Sequence, residues 1–149
     1  MNPDSPTRIA IEHDDYHARH VGRTADGRQF FLTDPFEPAI HGNPGGEFNA
    51  LYLFDATGEF VSAQIESFGP RGTFDLQAKE AAYRRLLEGL GAVTFQRIEL
   101  APFEVDKFGS KFGLIGRECE DPGDVLAVEA QPGNYMAFFE PWDSGEYDT

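Results

Sequence analysis

Apolar residues recur at intervals of three, four and seven between Thr73 and Leu90, which is the spacing of one face of an α-helix. The residues on this stripe are Leu76, Tyr83, Leu86, Leu87 and Leu90. The charged residues Lys79, Glu80, Arg84, Arg85 and Glu88 fall mostly on the other faces. We therefore predict one central amphipathic helix over about residues 74–90, with its apolar stripe packed against the core.

The ends of this helix carry residues that are typical of helix caps. Thr73 or Asp75 can accept a hydrogen bond from a free backbone N–H at the start. Gly89 and Gly91 mark the end, because glycine tolerates the left-handed turn that closes many helices. No other segment has a convincing helical pattern.

Outside the helix, extended runs alternate with turn sequences. Asp26-Gly27 is a strong hairpin signal, because such a tight turn needs positive φ. Similar turns are predicted at residues 55–58, 107–110 and 131–134. The predicted strands are Arg8–Glu12, Tyr16–Arg23, Gln29–Thr33, Ala50–Phe54, Glu59–Ser67, Val93–Leu100, Phe103–Asp106, Lys111–Arg117, Val125–Ala130 and Tyr135–Phe139.

This order of strands, helix and strands predicts the α+β class, with a mainly antiparallel sheet of about eight strands and one central helix. A helix about 10 Å wide covers only two or three strands spaced about 4.8 Å apart. We therefore expect the sheet to curl into a partial barrel, or a second copy of the chain to cover its other face. The pattern favours closure and leaves both a monomer and a homodimer open.

The length of 149 residues fits a single domain, residues 1–149, with a core that 14 phenylalanines make aromatic. Residues 1–7 are polar and are expected to form a flexible arm, and residues 140–149 form an acidic, aromatic tail. The formal net charge of −14 disfavours direct nucleic-acid binding and anionic membranes, and it suits a basic protein partner.

The cysteine content and the hydropathy pattern bear on the compartment. Cys119 is the single cysteine, so no intrachain disulfide is possible, which fits a reducing cytoplasm. The first ten residues contain no apolar signal core, and no run approaches the ~18 apolar residues of a spanning helix. We therefore expect a cytoplasmic protein that does not associate with membranes.

Three histidines lie close together in the sequence at His13, His17 and His20. On a helix they would share one face and could hold a metal ion. On a strand His13 and His17 lie about 13 Å apart and His20 points away. Because a hairpin follows, we favour the strand, and we predict neither a metal site nor a cofactor.

Signals of catalysis are absent from the sequence. Acidic neighbours at Glu118, Glu120 and Asp121 oppose a reactive thiolate at Cys119. The chain has neither a G-x-S-x-G motif nor a phosphate-binding loop of the G-x-x-x-x-G-K-[ST] kind. The 26 acidic residues make any particular carboxylate pair arbitrary. We therefore predict no catalytic residues and favour a protein that is not an enzyme.

The interaction candidates are Trp142, Asp143 and Tyr147 in the tail and His41 in the glycine-rich loop of residues 41–46. Aromatic side chains among acids can anchor a basic partner. In the alternative arrangement, Trp142 folds back and packs on the core.

Three stretches resemble bacterial proteins of the formate hydrogenlyase regulatory protein family. They are IEHDDYHARHVGRTADGRQFF from Ile11, LYLFDATGEF from Leu51 and FFEPWDSGEYDT from Phe138. This resemblance covers about half of the chain and implies transcriptional repression in formate metabolism. With one predicted helix there is no helix-turn-helix, so we expect such a role to be exerted through protein contacts.

These observations lead to a first hypothesis and two alternatives. The first is a regulatory or protein-interaction module. The second is an immunity-type inhibitor that covers the active site of a basic toxin by charge complementarity. The third is a small-ligand-binding or enzymatic cup inside the curled sheet, which would need a pocket with converging polar groups.

Overall fold

The computed structural model describes residues 8–14, 18–39, 42, 44–70, 72–118, 125–132, 136–138, 142 and 145–147. One helix and thirteen strands are found among these residues. The elements are β1 (Ile9–Ile11), β2 (His20–Thr24), β3 (Gln29–Thr33), β4 (Phe36–Glu37), β5 (Gly46–Phe54), β6 (Phe60–Ser67), α1 (Leu76–Gly89), β7 (Val93–Phe95), β8 (Ile98–Leu100), β9 (Phe103–Lys107), β10 (Ser110–Glu118), β11 (Val125–Gln131), β12 (Met136–Phe138) and β13 (Gly145–Tyr147).

The strands form three sheets in which every pairing is antiparallel. A six-stranded sheet has the order β4-β5-β3-β2-β7, with β6 paired to β5. A five-stranded sheet has the order β13-β12-β11-β10-β9, and β1 pairs with β8 in a two-stranded sheet. This confirms the predicted α+β class with mainly antiparallel pairing, and the sheets do not close into a barrel.

The helix α1 begins and ends where the sequence indicates. The carboxylate of Asp75 accepts a hydrogen bond from the backbone N–H of Ala78 at 3.0 Å, so Asp75 is the N-cap. The helix ends at Gly89, and Gly91 follows with φ of 75°, the left-handed conformation that closes a helix.

One face of α1 packs on the outer face of the six-stranded sheet. The buried residues Phe30, Leu32 and Leu51 of the sheet meet Tyr83, Leu86, Leu87 and Leu90 of the helix. The predicted stripe is wrong at its first position, because Leu76 is 55% exposed. It is also wrong at Lys79, which is buried although it was assigned to another face. Lys79 lies four residues before Tyr83, which places the two on the same side of the helix.

The inner face of the six-stranded sheet is covered by the chain's own C-terminal half. Phe31, Tyr52 and Phe54 pack with Phe103 and Phe112 of the five-stranded sheet in one core cluster. The rings of Tyr52 and Phe103 are 4.7 Å apart in an edge-to-face arrangement that aromatic pairs prefer. Residues of the two sheets therefore share one core cluster, in keeping with the predicted curled sheet. The cover of a sheet face by a second copy of the chain stays a prediction.

The strand predicted over Val93–Leu100 is divided into β7 and β8, which belong to different sheets. β7 pairs with β2, and β8 pairs with β1. Between them the backbone N–H of Gln96 still bonds to the Val21 carbonyl at 3.1 Å. The chain thus passes from one sheet to another within two residues. The spacing of apolar residues does not predict such a change of sheet.

The predicted hairpins are confirmed at three turns. Gly27 and Gly58 have φ values of 87° and 95°, which an L side chain rarely adopts. The third turn places Phe108, a non-glycine residue, at φ of 53° between β9 and β10. The Phe108 ring stacks on Phe48 at 6.2 Å, a contact that favours phenylalanine at this position.

Candidate functional site

A groove of about 380 Å³ lies between α1 and strands β2, β3 and β5. We call it the α1 groove. It is lined by Arg19, His20, Asp34, Asn49, Leu76, Lys79, Glu80, Tyr83, Arg84 and Leu87. The helix supplies six of these residues, and the sheet and its adjoining loops supply the others. The groove therefore exists because α1 covers only part of the sheet face.

A histidine and a tyrosine form one wall of the groove. Nδ1 of His20 and the hydroxyl of Tyr83 are 2.5 Å apart and share a hydrogen bond. The same hydroxyl donates to the Leu32 carbonyl at 3.3 Å, which ties α1 to β3. Burial lowers the pKa of the His20 imidazole, and the nearby positive charge of Arg19 lowers it further. The neutral imidazole is therefore favoured in the folded protein.

The ammonium of Lys79 is the buried charge of the groove. Its side chain is only 7% exposed, and Nζ lies 3.5 Å from Oδ2 of Asp34. Asp34 itself is 58% exposed, so much of its charge is screened by solvent. Lys79 is thus a largely dehydrated cation. Its single ion-pair partner among the described residues is the solvent-exposed carboxylate of Asp34, 3.5 Å away.

Asn49 is fully buried and has an oxygen without a partner. Its Nδ2 donates to the Lys79 carbonyl at 3.0 Å and lies 3.5 Å from a carboxylate oxygen of Glu66. Because both neighbours of Nδ2 are acceptors, the orientation of the amide is fixed. Oδ1 then accepts no hydrogen bond within the described part of the chain. A buried acceptor in this state is rare and costs free energy.

Two further cations, Arg19 and Arg84, line the groove. Arg8, Arg28, Arg97 and Lys111 each form an ion pair with a carboxylate within 3.3 Å. The exposed Arg19 and Arg84 form no ion pair with any residue that the structure describes. Arg23, Arg85 and Lys107 likewise form no ion pair with a described residue, so Arg19 and Arg84 are distinguished by their place at the groove. Together with Lys79 they exceed the acids of the lining, Asp34 and Glu80, by one charge.

A second surface is the outer edge of β6. Among the described strands, β6 pairs only with β5, so its other edge has no strand partner there. Its eight residues, FVSAQIES, carry one charged side chain, Glu66. Val61 is 54% exposed, and Phe60 is also exposed. An apolar, nearly uncharged edge of this length offers unpaired backbone groups to another chain.

Two of the three predicted histidine candidates are described, and they flank one ring. His13 stacks on Phe95 at 5.5 Å, and His20 meets Phe95 edge-on at 5.5 Å. The strand begins only at His20, and His17 lies outside the described residues. Within the described ranges, no group of three or more His, Cys, Asp or Glu side chains is arranged to hold a metal ion.

The interaction candidates are placed only in part. Trp142 is half-buried and packs against the main core cluster, and its carbonyl accepts a hydrogen bond from the Ala10 N–H at 2.9 Å. Tyr147 ends β13, which pairs with β12. His41 and Asp143, like Cys119, lie outside the described residues. A role of these residues in binding stays a prediction.

Sequence reasoning missed the residues that define the α1 groove. Lys79 carried a usable signal, because it lies three residues after Leu76 and four before Tyr83, on the predicted stripe. Asn49 and Asp34 carried none, since their approach to α1 depends on where the helix crosses the sheet. No helix among the described residues is long and apolar enough to span a membrane.

Comparisons with known proteins find no relative of this chain. No family model, no curated protein and no solved structure matches it. The resemblance to the formate hydrogenlyase regulatory protein family, carried by residues 11–31, 51–60 and 138–149, therefore stays a prediction. The α1 groove and the β6 edge are the two features on which a function can be argued.

Proposed function

We propose that this chain is a small, acidic, cytoplasmic regulatory protein that acts by binding a basic protein partner, and not by catalysis. The observation that supports this proposal most is the outer edge of β6, which has no strand partner among the described residues. The resemblance to the formate hydrogenlyase regulatory protein family is in keeping with a regulatory role.

The β6 edge has the properties of a strand that accepts another strand. Natural sheets protect their edges with lysines, prolines, bulges or short strands. β6 has eight residues, neither lysine nor proline, and one acid, Glu66, whose carboxylate lies toward Asn49. The register shift opposite Leu53 and Phe54 places a bulge at Val61 and leaves residues 62–67 in regular pairing with β5. A partner segment in extended conformation would gain main-chain hydrogen bonds, and its alternate side chains would contact Phe60 and Val61.

The charge of the partner follows from the charge of this chain. Of the ten Lys and Arg residues whose side chains the structure describes, five pair with carboxylates. Over the full sequence, 26 Asp and Glu against 12 Lys and Arg leave a net charge of −14. A segment rich in Lys or Arg would approach faster and be held more tightly at low salt. Duplex DNA is repelled by the same charge, so we expect no measurable DNA binding near physiological salt.

The test uses a library of displayed ten-residue peptides selected on the intact protein. We expect the selected peptides to alternate apolar residues with Lys or Arg, and to lose binding when alternate amides are N-methylated. Val61→Lys should abolish binding, because it places a charge on the edge strand. Thr94→Lys, the same charge change on an exposed position of β7, should preserve at least half of the affinity.

Two results would overturn the proposal. One is selected peptides that bind Val61→Lys as well as they bind the unmodified chain. The other is a stable mass of twice 16.6 kDa in light scattering that returns to 16.6 kDa in Val61→Lys. The second result would mean that the β6 edge serves self-association, with a second copy of the chain as its partner.

A further inference from the structure

We propose that the α1 groove is a binding site for a small organic carboxylate that also carries a hydroxyl or amino group. This site is separate from the β6 edge, and it does not depend on the protein-binding function proposed above. Three independent features of the groove lead to this ligand class: its cations, its unpartnered acceptor and its size.

The cations indicate an anionic group on the ligand. Lys79 has already lost most of its hydration, so a carboxylate that replaces the 3.5 Å contact to Asp34 meets a cation with little water to displace. Arg19 and Arg84 lie at the same groove without ion pairs to any described residue. A planar guanidinium matches a carboxylate through two parallel hydrogen bonds.

The acids of the groove limit the charge of the ligand. Asp34 and Glu80 line it together with the three cations, so the formal charge of the lining is one positive unit when His20 is neutral. The remaining charge of the chain is strongly negative. A monoanionic carboxylate fits this balance, whereas a phosphate dianion meets more repulsion.

The unpartnered acceptor indicates a donor on the same ligand. Asn49 lines the groove, and its buried Oδ1 accepts no hydrogen bond from any described residue. Because this oxygen has almost no accessible surface, a ligand hydroxyl or ammonium beside the carboxylate would satisfy it once the covering groove side chains move aside. A plain carboxylate would leave the oxygen unsatisfied, and a site built around a buried acceptor discriminates against such an analogue.

The size and the walls indicate a short ligand with a small apolar part. The volume of about 380 Å³ is near the lower end of the range for small-molecule sites. Leu76 and Leu87 form its apolar walls. This gives the exposed Leu76 a role, because at 55% exposure it stabilises the isolated fold little.

The experiment is a titration of the full ¹⁵N-labelled chain by NMR with four probes: propanoate, 2-hydroxypropanoate, alanine and inorganic phosphate. We expect saturable shifts in residues 76–87 with 2-hydroxypropanoate or alanine. Propanoate should bind about tenfold more weakly, because it lacks the donor for Asn49. Phosphate should bind more weakly than the preferred carboxylate.

Neighbouring arginines of α1 supply matched variants. Arg84→Gln should weaken binding of the preferred probe about tenfold, since it removes one charge-assisted contact. Arg85→Gln makes the same change on the next residue, which is exposed and does not line the groove, and it should leave the affinity unchanged. Lys79→Met removes the buried ammonium and should abolish saturable binding.

Several outcomes would overturn the inference. They are no saturable shift with any probe, tightest binding of phosphate, and equal affinity for propanoate and its hydroxyl or amino analogues. Equal weakening by Arg84→Gln and Arg85→Gln would also contradict it, because the binding would then reflect general charge attraction.

Discussion

The side-chain amide of Gln29 bonds to the backbone of Glu99 in both directions. Nε2 donates to the Glu99 carbonyl at 3.0 Å, and Oε1 accepts from the Glu99 N–H at 2.9 Å. Gln29 is 2% exposed, so both hydrogen bonds are shielded from water. The Gln29 side chain thus makes the pair of backbone hydrogen bonds that a neighbouring strand would make. It joins β3 of the six-stranded sheet to β8.

We expect Gln29→Met to lower the free energy of unfolding by about 1–3 kcal/mol, because two part-buried backbone groups of Glu99 lose their partners. Urea denaturation followed by circular dichroism would measure the change. Gln77→Met, on the exposed surface of α1, should change stability by less than about 0.5 kcal/mol. Equal effects of the two variants would show that the Gln29 amide contributes little.

Gly22→Ala should destabilise the protein by about 3 kcal/mol or more. A Cβ at this position would lie 2.0 Å from the Thr94 carbonyl oxygen, so β2 and β7 would have to separate. Gly116→Ala is the matched control, since a Cβ there meets nothing within 4 Å. We expect that control to leave stability unchanged or to raise it by up to about 1 kcal/mol. Thermal unfolding of both variants would decide the matter, and a stable Gly22→Ala protein would contradict the β2–β7 contact.

Lys79→Met should leave the free energy of unfolding unchanged or raise it by up to about 1 kcal/mol. An apolar side chain of similar length removes a buried ammonium, and Asp34 remains in water. Asp34→Asn should instead destabilise by about 1 kcal/mol, because the ammonium then loses its carboxylate. Chemical denaturation near pH 7 would compare them. A strong loss of stability in Lys79→Met would mean that its ion pair is worth more than its burial costs.

His20 should make the fold less stable in mild acid. Burial comes first among the causes that lower the pKa of its imidazole, followed by the charges of Arg19 and His13, while Asp34 raises it. The unfolded chain therefore binds the proton more readily than the folded chain. Stability contributed by neutral His20 is present above pH of about 6.5 and is lost as the pH falls toward the folded-state pKa.

An NMR titration of the imidazole protons would measure this pKa directly. Arg19→Gln should shift the pKa of His20 upward, because it removes a nearby positive charge. Arg23→Gln, which changes an arginine three residues after His20, should leave the pKa of His20 in place. A His20 pKa at or above that of an unfolded reference peptide would contradict the burial described here.

Local sequence signals accounted for α1 and for the hairpins. The Asp75 cap, Gly91 and the glycines at positions 27 and 58 act within a few residues of themselves, so a short window of sequence contains the physical cause. The strands divide into separate sheets that share one core. This division depends on contacts such as that between Tyr52 and Phe103, which lie far apart in the chain. Alternation of apolar residues does not say which sheet will bury them.

The α1 groove was less predictable for a related reason. Lys79 became a buried cation because the helix crosses the sheet beside Asp34 and Asn49, and that crossing is a tertiary property. The polarity of a lysine suggests an exposed position, whereas its place between Leu76 and Tyr83 on the helix indicates a buried one. Its position on the helix decided the outcome, since the Lys79 side chain is only 7% exposed and its ammonium lies beside Asp34.

The pairing of β1 with β8 has a consequence for synthesis on the ribosome. Ile9 pairs with Leu100, so the first strand must wait for about 90 further residues before its partner exists. At about 5–20 residues per second, this delay lasts roughly 5–20 s. The β2–β3 hairpin, by contrast, can close within about 10 µs of emerging. During the delay the apolar Ile9–Ile11 segment stays unpaired on the nascent chain, where a chaperone can bind it.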